Sequence, residues 1–191
     1  MGKKRRESLW KDTTQKMIYT LFKEKSDTPS DINEHMETLR RISSECDHIT
    51  EMGVRAMVST WAFLEGLRER GGKLVSIDIV SPEEYGISIN KVKESCAQEN
   101  VDFTFILGDT LSIDIEETDL LFIDTLHFYS QLTKELARHA DKAKKYIALH
   151  DTESSPMEMW PAVNEFLQAH PEWVLYEHHP NNNGLTILKR Q

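Results

Sequence analysis

The sequence predicts an α/β protein: a doubly wound, mostly parallel sheet that ends in an antiparallel hairpin and carries helices at its N-terminus. Three observations predict it. From about residue 46 onward, short apolar runs alternate with helix-length stretches. The runs are continuously apolar rather than alternating, as strands buried on both faces are. The last two, "EWVLYEHH" and "LTILKR", are joined by "PNNNG", a link too short for a helical crossover, so this pair should be antiparallel.

Taken in order, the first 45 residues read as helical. Leu9, Trp10, Met17, Ile18, Leu21 and Phe22 recur at near-helical spacing until "SDTPSD" interrupts them. "DINEHMETLRRIS" then suggests a second helix with Ile32, Met36, Leu39 and Ile42 on one face. Segment 1–45 is expected to act as a lid or as a packing or oligomer element, with 46–191 as the main domain. In that domain "HITEMGV" is the first strand, followed by a helix over 58–70. "KLVSIDIV" is the second, followed by a helix over "SINKVKESCAQE". "VDFTFILGD" and "DLLFIDT" are the third and fourth. A helix over 129–142, the strand "KKYIALHD" and a helix over 159–168 lead into the hairpin.

Composition narrows the function. A chain of 191 residues suffices for one domain with a substantial core. A net charge of −9 argues against general nucleic-acid binding, which depends on clustered Lys and Arg. The basic cluster Lys3, Lys4, Arg5 and Arg6 reads as a solvated tail. Cys46 and Cys96 lie far apart without CxxC spacing, against a disulfide scaffold or structural zinc. No apolar stretch approaches the roughly 20 residues of a membrane helix. The expectation is a cytoplasmic protein that binds neither nucleic acid nor membrane. A homo-oligomer and one domain of a larger polypeptide both remain open.

Ligands of an open parallel sheet sit outside the carboxyl ends of its strands. Glu51 and Gly53 close the first strand, Asp78 the second, Gly108 and Asp109 the third, Asp124 the fourth, and His150 and Asp151 the fifth. One such acid is usually a cap or a satisfied loop residue; acids at five successive strand ends form a rim. Asp78 stands where a carboxylate can accept from both hydroxyls of a ribose. The first loop, "EMGVRAMVS", has one glycine and no GxGxxG, so it lacks the close backbone amides a pyrophosphate needs. That disfavours an NAD-dependent oxidoreductase and suits a cofactor without phosphates. S-adenosylmethionine is one, and a nearby acid such as Glu51 could help bind its amino-acid end. A hydrolase with a nucleophile elbow is set aside because GxSxG is absent.

In order and spacing, "TEMGVRAMVS", "VSIDIV", "ILGDT", "LLFIDTLH" and "IALHDT" resemble the class I S-adenosylmethionine-dependent methyltransferases, whose fold is Rossmann-like. The closer likeness is to metal-dependent small-molecule O-methyltransferases: the macrolide-sugar, cephalosporin-hydroxylase-like and rhamnosyl enzymes, and more distantly catechol O-methyltransferase. It covers residues 45–191, and "FIDxxH" followed by "LHDT" is its most specific part. The resemblance implies cofactor contacts for Glu51, Gly53 and Ser59, ribose binding by Asp78, and adenine contacts for Asp109 and Thr110 beside Gly108. Arg55 either meets a cofactor carboxylate or covers a helix face. Asp124 borders the cofactor and supplies the first metal carboxylate, and Asp151 the second. His150 replaces an acid common in the antibiotic-sugar enzymes; it, Thr152 or Glu153 would complete the metal set. His127 falls on the base. Met57 lies near a missing second glycine.

The activity implied is divalent-metal-dependent methylation of a hydroxyl on a small molecule or glycan, with a vicinal diol on a sugar favoured over a catechol. The chemistry requires Asp124 and Asp151 to converge on one cation, near His127. Oxygen ligands suit Mg²⁺, and an imidazole ligand moves the preference toward Mn²⁺. A non-catalytic adenosyl-binding module of a larger carbohydrate-processing protein is the competing reading. Met157, Met159 and Trp160 are candidate walls of an acceptor pocket, Trp61 and Phe63 are expected in the core, and His178 and His179 on a solvated hairpin flank.

Overall fold

The computed structural model describes residues 17–191, so Leu9, Trp10 and the basic cluster lie outside the described residues. Helix α1 (Met17–Asp27), a 3-10 turn (Asn33–His35) and α2 (Met36–Ser43) come first. Ile32, Met36, Leu39 and Ile42 are all buried, so the expected apolar face is present, although the regular helix starts only at Met36. Then follow β1 (His48–Met52), α3 (Val58–Arg68), β2 (Gly72–Asp78), α4 (Ile89–Gln98), β3 (Val101–Leu107) and β4 (Thr118–Ile123). The chain continues through α5 (Tyr129–His139), β5 (Ala143–His150), α6 (Pro156–Ala169), β6 (Trp173–His179) and β7 (Leu185–Arg190).

The seven strands form one sheet in the order β3-β2-β1-β4-β5-β7-β6. The first five are mutually parallel, and β7 runs antiparallel to both β5 and β6. Chain direction across the sheet reverses between β1 and β4, which opens a crevice at their carboxyl ends. The link from β3 to β4 contains no helix; residues 108–117 run from the carboxyl end of β3 to the start of β4, and Asp109 and Thr110 lie at the end nearer the crevice.

Side chains that alternate along each strand supply two apolar layers. Phe122 packs with Phe22, Leu39, Trp61 and Phe63 on one face. Its neighbours Leu121 and Ile123 pack with Leu136, Val163, Phe166 and Trp173 on the other. Tight layers on both sides hold the strand ends in fixed register, which makes the rim above them a rigid platform.

Two further helix boundaries differ from expectation. Helix α6 begins at Pro156 rather than near Met159, because proline is compatible with a first helical position whose N–H would be unpaired anyway. Regular α5 ends at His139, and Ala140–Lys142 tightens into a 3-10 turn before β5. Cys46 and Cys96 are free and buried, and burial pushes each thiol up to about 12. No helix among the described residues is long and apolar enough to cross a membrane.

Candidate active site

A cleft of about 490 Å³ lies over the carboxyl ends of the parallel strands, within the size range of small-molecule sites. Of the residues singled out from sequence, Gly53, Arg55, Ser59, Asp78, Asp109, Thr110, Asp124, His127 and Asp151 line it. Glu51, Gly108 and His150 do not. Asp31 and Ile32, just before the 3-10 turn, line it as well. No sequence motif marks those two, because only tertiary packing carries the N-terminal segment to the rim.

The first loop follows from close approach. Gly53 has φ +86°, and a Cβ built there would stand 1.9 Å from the carbonyl oxygen of Asp124, so the β1 and β4 ends meet at a distance that glycine alone permits. Arg55 and Met57 also have positive φ, +48° and +59°. The backbone at Met57 thus takes a glycine-like conformation with a buried methionine side chain. Asp78 organises the loop: its Oδ2 accepts from the amides of Val54 (2.7 Å) and Arg55 (2.9 Å), and its Oδ1 from Val80 (2.9 Å). Two loop amides that could have faced a pyrophosphate are therefore committed to a carboxylate. The Arg55 guanidinium pairs with Asp31 at 2.9 Å, which ties the N-terminal segment to the loop.

Glu51 corrects an expectation. Its position on β1 sends the side chain into the layer under α3, where it is fully buried rather than facing the cleft. Ser59 (2.6 Å), Thr60 (2.9 Å) and Ser76 (2.5 Å) donate hydroxyl hydrogens to it. Burial pushes its carboxyl up to about 7 against the opposing pull of those three donors. Ser59 lies between Glu51 and the cleft. Gly108 is likewise turned away, packed against the Ile113 side chain.

Within the cleft, two carboxylates meet two imidazoles. His127 Nε2 lies 3.3 Å from Asp124 Oδ1 and 3.0 Å from Asp151 Oδ2. His150 Nδ1 stands at the same two distances from the same oxygens. Ligand atoms of Asp124, His127 and Asp151 all lie within 4.8 Å of one another. The two carboxylate oxygens so gathered suit a divalent cation, and the imidazole nitrogen beside them can serve as a third donor or as a base, but not as both at once. His150, which the sequence reading placed among the metal ligands, is buried behind the pair, with Nε2 held at 3.3 Å by the Asn182 carbonyl. Thr152 is bonded to Thr186, and Glu153 to Trp160; neither joins the cluster.

The charges interlock. Burial alone would raise Asp124, but hydrogen bonds from His127 and His150 outweigh it and hold the carboxyl below the ordinary carboxylate range. Burial also opposes charge on His150, yet its bonds to Asp124 and Asp151 push it up to about 10. The hydrogen bond to Asp124 raises His127 in the same sense. Asp151 has φ +61° and is pinned on its far side, where Oδ1 accepts from Ser154 Oγ and, at 3.0 Å, from Asn183 Nδ2. The Asn183 carbonyl accepts from the amides of Glu153 (2.8 Å) and Ser154 (3.0 Å). The asparagine run, which reads from sequence as turn chemistry, thus braces the second carboxylate.

No protein-family model matches the chain, and no curated protein matches its sequence. Solved structures do match. The SAH-bound methyltransferase PaMTH1 of Podospora anserina superposes with a TM-score of 0.62 at 14% identity, covering 100% of this chain and 97% of that one. The O-methyltransferase of Bacillus cereus in complex with SAH gives 0.61 at 15%, over 94% and 91%. Magnesium protoporphyrin IX methyltransferase of Synechocystis PCC 6803, with SAM bound, gives 0.61 at 13%, over 96% of each chain. The fold is that of the class I S-adenosylmethionine-dependent methyltransferases.

Proposed function

We propose that the chain is an S-adenosylmethionine-dependent O-methyltransferase that uses a divalent cation, Mg²⁺ or Mn²⁺, to methylate a hydroxyl of a small molecule. The observation that carries this reading is the convergence of Asp124, Asp151 and His127 in a cleft whose first loop has two amides committed to Asp78. The donor set suits a cation and the loop suits a cofactor without phosphates. The fold adds a prior in the same direction.

When bound, S-adenosylmethionine supplies an electrophilic methyl group, and a divalent cation supplies a Lewis acid that favours ionisation of a hydroxyl. The chain's residues do the rest. Asp124 and Asp151 would hold the cation. Ser59 and Asp78 bind cofactor hydroxyl or amino groups from the cleft wall. His127 is about a third exposed and faces the cleft, so its Nε2 can take the acceptor's proton. Its hold on a proton comes chiefly from Asp124, with Asp151 adding to it, and a cation at those carboxylates would weaken that hold and leave the nitrogen able to act as a base. His150 stays behind as a fixed brace. Asp31 and Ile32 close one side, consistent with a lid function for the N-terminal segment; the rest comes from proximity and alignment.

The acceptor we favour is a sugar or glycan with a vicinal diol, which rests on the likeness of the "LHDT" ending to sugar-modifying enzymes. One observation favours a catechol-type acceptor instead. Leu126, Phe128 and Met157 are exposed beside the cluster, and the amide of Tyr129 bonds Glu158 at 2.8 Å, which brings the two apolar segments together. Mass spectrometry of sugar, nucleotide-sugar and catechol panels with S-adenosylmethionine, with and without chelator, decides between them. A gain of one methylene that chelator abolishes is expected, and His127→Ala should lose turnover while still binding cofactor. Binding of S-adenosylmethionine with no methylation of any acceptor would favour the non-catalytic adenosyl-binding module, and no heat of binding would overturn the cofactor reading itself.

A further inference from the structure

The turn between β6 and β7 joins two parts of the molecule that lie far apart in sequence. On one side it meets residues 30–35 of the N-terminal segment. Asn182 Nδ2 donates to the Ser30 carbonyl at 2.8 Å, and Asn182 Oδ1 accepts from the Glu34 amide at 3.0 Å. Asn181 Nδ2 donates to Glu34 Oε2 at 2.5 Å. On the other side the same turn meets the carboxylate cluster, through the Asn182 carbonyl at His150 and the Asn183 side chain at Asp151.

One buried side chain closes the junction. His35 is 1% exposed, and its Nε2 lies 3.0 Å from the Asn181 carbonyl oxygen and 3.1 Å from that of Asn182. A carbonyl oxygen only accepts, so this nitrogen carries the hydrogen. His150 Nε2 approaches the Asn182 oxygen at 3.3 Å and donates to it for the same reason. Two imidazoles thus share one carbonyl, with ring centroids 5.8 Å apart and planes at 73°. A shift of that carbonyl turns the His150 ring, whose Nδ1 meets both Asp124 Oδ1 and Asp151 Oδ2. On its cleft side the N-terminal segment is tied down by the Asp31–Arg55 pair, and Ser30 Oγ accepts from the Asn33 amide at 3.0 Å.

We propose that His35 and Asn182 are positioning residues for the cation site: by fixing the Asn182 carbonyl they fix the His150 ring, and through it the spacing of the two carboxylate oxygens. The inference rests on reading Asp124 and Asp151 as the cation's ligands, and it adds what holds them in place from the far end of the chain. Loss of a direct partner of a metal ligand weakens binding by about 10–100-fold, so one contact further out the effect expected is about three- to tenfold. Linkage makes the effect reciprocal. A cation that binds better when residues 30–35 are docked must also hold those residues more tightly.

The test combines calorimetric titration of the full chain with Mn²⁺ and amide hydrogen exchange, read by mass spectrometry, over residues 28–36. In the wild-type protein, saturating Mn²⁺ should slow exchange of the peptide that holds the Glu34 amide by about threefold or more. His35→Phe keeps a ring and deletes the donor. It should weaken Mn²⁺ binding about three- to tenfold, and bound Mn²⁺ should no longer slow that peptide. His35→Gln returns an N–H at similar reach and should restore the affinity to within about twofold, which a role in packing alone does not predict. Asn182→Gly keeps the carbonyl and suits the backbone there, at φ +45°, while removing both side-chain anchors. It should weaken Mn²⁺ binding in the same direction and serves if the phenylalanine variant fails to fold by circular dichroism. Wild-type Mn²⁺ affinity in a folded His35→Phe or Asn182→Gly protein overturns the positioning role alone, as does exchange over residues 28–36 that is indifferent to Mn²⁺ in a wild-type chain that binds it. Failure of the wild-type chain to bind Mn²⁺ overturns the cation reading along with it.

Discussion

His127 and His150 each present one ring nitrogen to the same two oxygens, 3.0 Å from Asp151 Oδ2 and 3.3 Å from Asp124 Oδ1. The two imidazoles differ in setting. His127 is a third exposed at the cleft, whereas His150 is 1% exposed and held from behind by the Asn182 carbonyl. One opens onto the cleft, and the other is enclosed with the carboxylates.

In the presence of chelator, this pairing predicts a stability that declines on the alkaline side. His150 is raised from 6.5 to about 10, so its contribution is complete below about pH 6.5 and is lost as pH rises through the folded value. Urea unfolding with chelator should show a loss on the order of 3 kcal/mol between about pH 6 and about pH 9. His150→Gln should lack most of that decline. An unchanged slope in the variant would remove His150 as its source.

Glu51 predicts a second pH effect. Its carboxyl is raised from 4.5 to about 7, so its contribution is complete below about pH 4.5 and fades as pH climbs through 7. Glu51→Gln keeps the shape and has no charge to bury. Its stability should be flatter between about pH 5 and about pH 7, and at about pH 8 should equal or exceed that of wild type. A deficit at pH 8 larger than about 1 kcal/mol would mean that the three hydroxyls require a charged acceptor.

Asn183 is expected to matter through Asp151. Its amide donates to Oδ1 at 3.0 Å, and its φ of +69° is one that asparagine tolerates better than most residues. Asn183→Ala should cost about 1–2 kcal/mol in thermal or urea unfolding. It should also weaken Mn²⁺ binding by calorimetry about tenfold, as loss of a partner to a metal ligand does. Unaltered Mn²⁺ affinity in the folded variant would show that Asp151 is oriented without it.

Two glycines offer a matched pair. Gly53 and Gly86 both have positive φ, +86° and +77°, but a Cβ at Gly53 would collide with the Asp124 carbonyl, whereas nothing lies within 4 Å of one at Gly86. Gly86→Ala should therefore cost only the conformational strain, about 1–2 kcal/mol. Gly53→Ala should cost clearly more than about 3 kcal/mol or prevent folding, because β1 and β4 would have to separate. Equal melting temperatures for the two variants would contradict the close approach.

Much of the fold was legible because its signals are local. "KLVSIDIV" and "YIALHD" announce buried strands by unbroken apolar runs, and "PNNNG" announces a turn. The start of α6 was misplaced because "SSPM" reads as a breaker, and whether Pro156 stops a helix or opens one depends on its position within the first turn. Glu51 shows a different limit. As the acid that closes the first strand it reads as a rim residue, but strand alternation decides which face it points to, and here that face is packed by α3. Asp31 and Asn183 carry no pattern that separates them from ordinary surface polar residues.

By itself the sequence determined the order of strands and helices, the antiparallel ending, the row of acids at the strand exits and the lack of a glycine-rich phosphate loop. Each is written in residues near one another along the chain, where periodicity and turn chemistry act. Tertiary structure alone decided that Asp124 and Asp151 meet, that His127 faces the cleft while His150 is shut behind it, and that Asn183 braces the second carboxylate. Those relations depend on which distant segments pack together, and the burial and charge that follow from packing have no signature until the chain has folded.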